Sequence, residues 1–294
     1  MVPAQLIKLT RLMERTTGDA GIGIGLIDGP VSIQHPDLNA QHLREIAGSN
    51  RASCTQGGSV ACLHGTFIAG ILSAKRTSLA PSICPDCTLL MRPIFSETSA
   101  GREEMPAATP AELATAILDC IHAGARVINL SAALAQPSSK GDRMLDQALN
   151  QALSRGVLIV AAAGNQGTLG TSAITRHPWV IPVVACDARG RPLNESNLGG
   201  SIGRRGLSAP GDGITSLGPE GKFLSLSGTS VAVPFVTGTI ALLWSQFPSL
   251  NAAQIKLALT QAYSPRRASV VPPLLDAEAA YQILLASHAM RRSA

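Results

Sequence analysis

Four polar residues interrupt apolar stretches of this sequence at places where chemistry could be done. Asp28 ends the run Ile24-Gly25-Leu26-Ile27-Asp28-Gly29-Pro30, and His64 opens His64-Gly65-Thr66. Asn165 closes Ala161-Ala162-Ala163-Gly164-Asn165, and Ser230 sits within Ser227-Gly228-Thr229-Ser230-Val231-Ala232-Val233-Pro234. Each has an ordinary structural reading alone: a strand-end Asp turns the chain, a Ser before a helix caps it, an Asn after Gly makes a turn. As a set they carry more. A serine hydroxyl is a poor nucleophile until a neighbouring base takes its proton. An imidazole is such a base, and a carboxylate on its other nitrogen fixes the tautomer and stabilises the imidazolium. A side-chain amide and a helix N-terminal N–H can then hold the oxyanion that develops on an attacked carbonyl.

Such groups need a rigid frame, and the hydrophobic pattern supplies one. Apolar, largely β-branched runs predict strands over residues 22–27, 88–94, 126–130, 157–162 and 180–185. Between and after them, helices are predicted over 65–74, 110–123, 142–155, 229–246, 251–263 and 276–285. Continuous apolar strands separated by helices indicate a parallel sheet covered on both faces. Right-handed crossovers make this an α/β fold, a three-layer α/β/α sandwich with a mostly parallel central sheet. Ligands bind beyond the carboxyl ends of such strands, where Asp28 and Asn165 fall. No repeat, low-complexity tract or linker divides the chain, so residues 1–294 read as one domain. Residues 1–20 hold an amphipathic helix with Leu6, Leu9 and Met13 on one side, and 264–294 form a loop and last helix. Residues 199–221, rich in Gly, Ser and Pro, read as loops with short strands.

Composition narrows the class. The 294 residues are 45% apolar, 15% charged and 3% aromatic, with a net charge of +5. A low-charge apolar chain of this length folds rather than staying disordered. The basic residues are scattered as pairs, Arg204-Arg205, Arg266-Arg267 and Arg291-Arg292, with few aromatics to stack bases, so a nucleic-acid partner is not expected. The segment 231–244 is shorter than the roughly 20 residues of a membrane span and contains Pro234, which suits a buried helix. With no apolar core typical of a secretion signal in the first residues, a soluble cytoplasmic protein is expected.

Six cysteines, at 54, 62, 84, 87, 120 and 186, leave several states open. Cys84-Pro85-Asp86-Cys87 has redox-motif spacing but precedes a strand, so no helix N-terminus lowers its thiol pKa. Cys54, Cys62, Cys84 and Cys87 could together hold a structural zinc, or one or two disulfides could form among them. Buried idle thiols are the default in a reducing compartment. His35, His42, His122, His177 and His288 have no metal-ligand spacing with one another or with a cysteine pair. No metal and no cofactor is expected.

The order Asp, His, Ser along the chain, with Asp28-Gly29, His64-Gly65-Thr66, Ala163-Gly164-Asn165 and Gly228-Thr229-Ser230 plus Pro234, resembles the subtilisin-like serine peptidases. The resemblance runs from about residue 21 to 263. It implies a catalytic triad of Asp28, His64 and Ser230, with Asn165 and the Ser230 N–H as oxyanion donors. It further implies that residues 129–133 pair with an extended peptide substrate, with Ser131, Ala132 and Ala133 on that strand. Ala162, Ala163 and Gly164 would then wall the pocket for the residue before the cut. Three departures stand out: Phe67 replaces a second His, Val233 replaces a small residue, and Ser131-Ala132-Ala133 replaces the usual glycines and should narrow the cleft. The short residues 75–81 lack the carboxylates of a calcium loop, and no room for a folding prodomain precedes Asp28.

A narrower likeness is to the proteases that mature cyanobactins and related modified peptides. It rests on Ile27-Asp28-Gly29-Pro30-Val31 with His35-Pro36, Ala80-Pro81, Arg92-Pro93-Ile94-Phe95, Val127-Ile128-Asn129-Leu130-Ser131 and the run 156–165. The likeness implies a ribosomal precursor peptide as partner and substrate. Ring-closing members carry a helical insertion near the catalytic His, for which the 36 positions from 28 to 64 leave little space. The expectation is therefore hydrolytic leader removal. The competing readings are an idle peptide-binding protein of the same shape, a general degradative subtilisin, a thiol oxidoreductase using Cys84 and Cys87, and a small-molecule esterase or amidase.

Overall fold

The structure, a computed structural model, describes residues 2–48, 53–97, 108–131, 142–261 and 269–292. Its centre is a seven-stranded, wholly parallel sheet, where the pattern predicted five strands in a mostly parallel one. The strands are β1 (Gly23–Asp28), β2 (Leu43–Glu45), β3 (Thr88–Pro93), β4 (Ala125–Leu130), β5 (Leu158–Ala162), β6 (Val180–Cys186) and β7 (Leu207–Pro210). They lie in the order β2-β3-β1-β4-β5-β6-β7. β1, β3, β5 and β6 are buried along their whole length, which is why they read as unbroken apolar runs. β2 was not foreseen, being a three-residue edge strand with little apolar signal, and β7 is one of the short strands expected within residues 199–221.

Helices cover both faces. One face carries α3 (Val60–Ser73) and α7 (Thr229–Gln246), which share the larger core with α1 (Pro3–Leu6), α2 (Thr10–Arg15), α8 (Ala252–Gln261) and α9 (Ala277–Arg292). The other carries α4 (Pro110–His122) and α5 (Arg143–Arg155) over the second core. Their starts are written in the sequence: Thr109 and Glu112 form a capping box on α4, and Asp142 accepts from Met144 and Leu145 N–H on α5. Residues 199–221, expected to be loops with short strands, hold β7 and β8 (Ile214–Leu217) but also a short helix, α6 (Gly200–Arg205), and β8 pairs antiparallel with β9 (Phe223–Leu226) just beyond. No helix among the described residues is long and apolar enough to cross a membrane.

Two expectations need correction. The single N-terminal helix is two short ones, broken where Lys8 takes φ 52°, so Ile7, Leu9 and Leu12 point inward while Leu6 and Met13 are only half-buried. α3 begins at Val60, capped by the Ser59 hydroxyl on Cys62 N–H, so His64 lies in its second turn rather than at its start.

β1 neighbours β3 on one side and β4 on the other, so the direction of winding reverses there. In open α/β sheets ligands bind at such a switch point, beyond the carboxyl ends of the strands, here those of β1 and β4. Asp28 closes β1 and Ser131 follows β4.

Candidate active site

The approach of α3 to the end of β1 depends on two glycines. A Cβ on Gly29 would lie 2.0 Å from the Ala61 carbonyl oxygen, and one on Gly65 would lie 2.4 Å from the carbonyl oxygens of Gly29 and Pro30. Only backbone fits there. The contact brings His64 against Asp28, with His64 Nδ1 and Asp28 Oδ1 at 2.7 Å. Asp28 is fully buried, and the same oxygen accepts the Gly29 N–H at 2.7 Å, while its Oδ2 has no partner among the described residues. Burial alone would push the imidazole pKa down. The Asp28 charge and its hydrogen bond outweigh this and hold His64 above its ordinary 6.5.

Ser230 is the second residue of α7, behind Gly228 at φ 132°, a backbone conformation that favours glycine. Asn165 is tied to the same helix start. Its Oδ1 accepts both the N–H and the hydroxyl of Thr229 at 2.9 Å. With the oxygen committed, Nδ2 is the free end of the amide, and a Cβ on Gly228 would lie 3.0 Å from it. Thr229 Oγ1 also accepts the Gly164 N–H at 3.2 Å, so one buried threonine clamps the end of β5 to α7. Among the described residues the Ser230 N–H has no acceptor. It is a donor left for a ligand at a helix N-terminus.

Ser230 Oγ and His64 Nε2 likewise have no hydrogen-bond partner among the described residues, so the direct Ser230–His64 bond is not formed in the free protein. Such bonds are often long in unliganded sites and tighten on substrate. α3 and α7 pack against each other on one face of the sheet.

The other expected residues are distributed as follows. Ser131 is buried, and its hydroxyl donates to the Ser230 carbonyl at 3.1 Å. Ala132 and Ala133 lie outside the described residues. Ala162 packs into the main core and Ala163 into a small cluster with Val184 and Ile202, while Gly164 takes φ 106° beside the Asn197 and Gln166 side chains. The loop after it is shaped by a residue the sequence reading missed. Asn197 Oδ1 accepts from Gln166 N, Thr168 N and Thr168 Oγ1, and its Nδ2 donates to Ala163 O and Gln166 Oε1. Thr229 was missed too, although its place directly between Gly228 and Ser230 was the available signal.

Among the described residues Cys84 and Cys87 do not gather with Cys54 and Cys62 into one four-sulfur group. Cys54 and Cys62 form a disulfide across eight positions, correcting the default of idle thiols for these two. Cys84, Cys87, Cys120 and Cys186 are free and buried. Glu97 stands close to the Cys54 and Cys62 sulfurs, the one metal-like grouping among the described residues. Those sulfurs are bonded to each other, and the Glu97 carboxylate caps Thr55 and Gln56 N–H at 2.8–3.0 Å. Cys84 and Cys87 hydrogen-bond together, which raises the first thiol well above its ordinary pKa and lowers the second. Buried from solvent, neither can meet a protein disulfide.

A buried carboxylate bonded to an imidazole of raised basicity, and a serine at a helix start beside an amide, are the groups this fold offers for chemistry. The subtilase family profile matches residues 19–278, and the chain belongs to that family of subtilisin-like serine endopeptidases. Over 260 residues it is 29% identical to subtilisin DY of Bacillus licheniformis, covering 87% of this chain and 88% of that protein. It is 30% identical to the thermostable alkaline protease of Halalkalibacterium halodurans, over 82% of this chain but only 62% of that longer protein. Among solved structures, a mutant of the protease domain of PatA superposes with a TM-score of 0.83 at 31% identity, covering 92% of this chain and 97% of that one. The prenylagaramide maturation protease PagA superposes with a TM-score of 0.81 at 28% identity, over 94% and 98%.

Proposed function

We propose that the protein cleaves peptide bonds with Ser230 as nucleophile, His64 as proton carrier, Asp28 as its orienting charge, and Asn165 Nδ2 with the Ser230 N–H as oxyanion donors. The observation that carries the reading is the 2.7 Å hydrogen bond that His64 Nδ1–H donates to the buried Asp28 carboxylate, which raises the histidine's pKa. Ser230 Oγ attacks the carbonyl carbon while its proton passes to His64 Nε2. The tetrahedral oxyanion rests on the two donors until the C–N bond breaks, and the proton leaves with the departing amine. Water then repeats the sequence on the acyl-enzyme, with His64 taking and returning its proton.

The substrate we infer is a ribosomal precursor peptide, bound in extended form along the segment that follows β4 and cut to release its leader. One observation supports that choice over general degradation: the chain is similar over nine-tenths of its length to the patellamide maturation protease PatA and to PagA.

The test is labelling with a fluorophosphonate, followed by digestion of a precursor-type peptide library read by mass spectrometry, each with Ser230→Ala as control. Labelling on Ser230 and cleavage at one defined junction are expected. Labelling without any peptide cleavage would leave a small-ester hydrolase, and no labelling an idle peptide binder.

A further inference from the structure

We propose that Thr237, Asn129 and Ser131 form a hydrogen-bonded tether that positions Ser230, replacing a helical bond that Pro234 removes. The inference rests on the reading of Ser230 as the nucleophile. In an α-helix the carbonyl of a residue accepts from the N–H four positions on. For Ser230 that position is Pro234, which has no N–H. The peptide plane joining Ser230 to Val231 therefore lacks its regular anchor, one turn into the helix that carries the reacting oxygen.

The anchor comes from β4. Ser131 Oγ donates to the Ser230 carbonyl at 3.1 Å, which uses the only proton that hydroxyl has. Its direction is set from behind: Asn129 Nδ2 donates to Ser131 Oγ at 2.8 Å, and Asn129 Oδ1 accepts from Thr237 Oγ1 at 2.9 Å. Thr237 belongs to α7 itself, so the tether leaves the helix two turns beyond Ser230, crosses to the sheet and returns to Ser230. Every bond in it runs in one direction, which lets each strengthen the next.

Thr237 makes an unusual choice within its helix. Thr239 and Ser245 spend their hydroxyls on the local carbonyls four residues back, Phe235 at 2.8 Å and Ala241 at 2.9 Å. Thr237 reaches across to the sheet instead. Thr237 and Asn129 are both fully buried, so water cannot substitute for either. A Val and a Leu would fill such a core equally well and could slide. The polar pair fixes the rotation and height of α7 over β4, and with them the direction of Ser230 Oγ. The three are positioning residues, since none is placed to touch the reacting atoms with its tethered side chain.

The test uses the full chain and a fluorophosphonate, separating the saturating labelling rate from the probe's binding constant, with thermal unfolding alongside. Ser131→Ala should slow the saturating rate about tenfold, the worth of one net hydrogen bond, with binding unchanged. Pro234→Ala restores an N–H for the Ser230 carbonyl, so in that background Ser131→Ala should cost less than about threefold. Thr237→Val should slow labelling as Ser131→Ala does, and Thr237→Ser should keep the wild-type rate. A Ser131→Ala cost under about threefold, or one carried undiminished into the Pro234→Ala background, overturns the tether. Should Pro234→Ala not fold, the Thr237 pair decides, and equal rates for Val and Ser overturn it. A wild-type chain that takes no label on Ser230 refutes the nucleophile assignment itself, a result distinct from any of these.

Discussion

At the crossing of β1 and α3, a single methyl group on Gly65 would sit 2.4 Å from two backbone oxygens. At the start of α7, by contrast, Asn165, Thr229 and Gly164 are joined by side-chain hydrogen bonds of 2.9–3.2 Å. The Asp28–His64 half of the candidate site is thus set by backbones in contact, and the Ser230–Asn165 half by side chains that reach. The two constructions fail differently. Touching backbones cannot relax, because packed interiors do not deform by small amounts, so damage there should be all-or-none. A network of hydrogen bonds loses one partner at a time, and its losses should be graded.

The largest effect should follow from breaking the backbone contact. Gly65→Ala must lift α3 off β1 and part the imidazole from the carboxylate. We expect kcat/KM to fall by more than about 10⁴, with a lowered melting temperature. An active Gly65→Ala enzyme would mean that the contact is not what sets the dyad. Next comes Asp28→Asn, which leaves the backbone in place but loses the charge. Steady-state kinetics should show kcat reduced about 10⁴-fold, the scale seen when this carboxylate is neutralised in serine peptidases. Asn165→Ala tests the reaching half. Loss of an equivalent amide donor in subtilisin costs about 10²–10³ in kcat, and the same range is expected here with little change in KM. A loss as deep as that of Gly65→Ala would erase the distinction between the halves.

The smallest and sharpest test is a pH profile. His64 must be unprotonated to accept the serine proton, and Asp28 holds its pKa above 6.5. The acid limb of kcat/KM should therefore have its midpoint above 6.5 in the wild type. Both raising influences come from Asp28 and the lowering one from burial, so the residual activity of Asp28→Asn should have its midpoint below 6.5. The same shift has a stability side. The folded state holds this proton more tightly than the unfolded one, so the contribution is full below 6.5 and is lost as pH rises through the folded value. An unmoved acid limb in Asp28→Asn would detach the profile from this pair.

The parts of the molecule that were legible in the sequence share a physical cause. β1, β3, β4, β5 and β6 were read to within a residue or two because strands buried on both faces must be apolar throughout. α7 was read to its ends because Gly228 and the apolar run after Ser230 mark them. α3 was misplaced at its start because Val60 to Leu63 carry no periodicity that separates helix from loop, and the cap at Ser59 is one hydroxyl among many. Lys8 breaks the N-terminal helix through a positive φ that no residue type there announces. The four residues proposed to react, Asp28, His64, Asn165 and Ser230, were legible as motifs. Thr237 and Asn197 were not, because a buried hydroxyl or amide acts through partners far away in the chain, 108 positions for Thr237 and Asn129. Pro234, four residues after Ser230, was the visible trace of the tether, since it announces a carbonyl in need of a donor.

The Cys54–Cys62 link sits just before His64 and within the first turn of α3. Disulfides persist where the surroundings oxidise and are undone by cytosolic thiols. Two preparations of this enzyme, one folded in a reducing host cytosol and one in an oxidising compartment, would then be different covalent species differing by two hydrogen atoms beside His64. Intact mass without reductant tells them apart, and kinetic constants from the two should be compared only after the redox form of each batch is known.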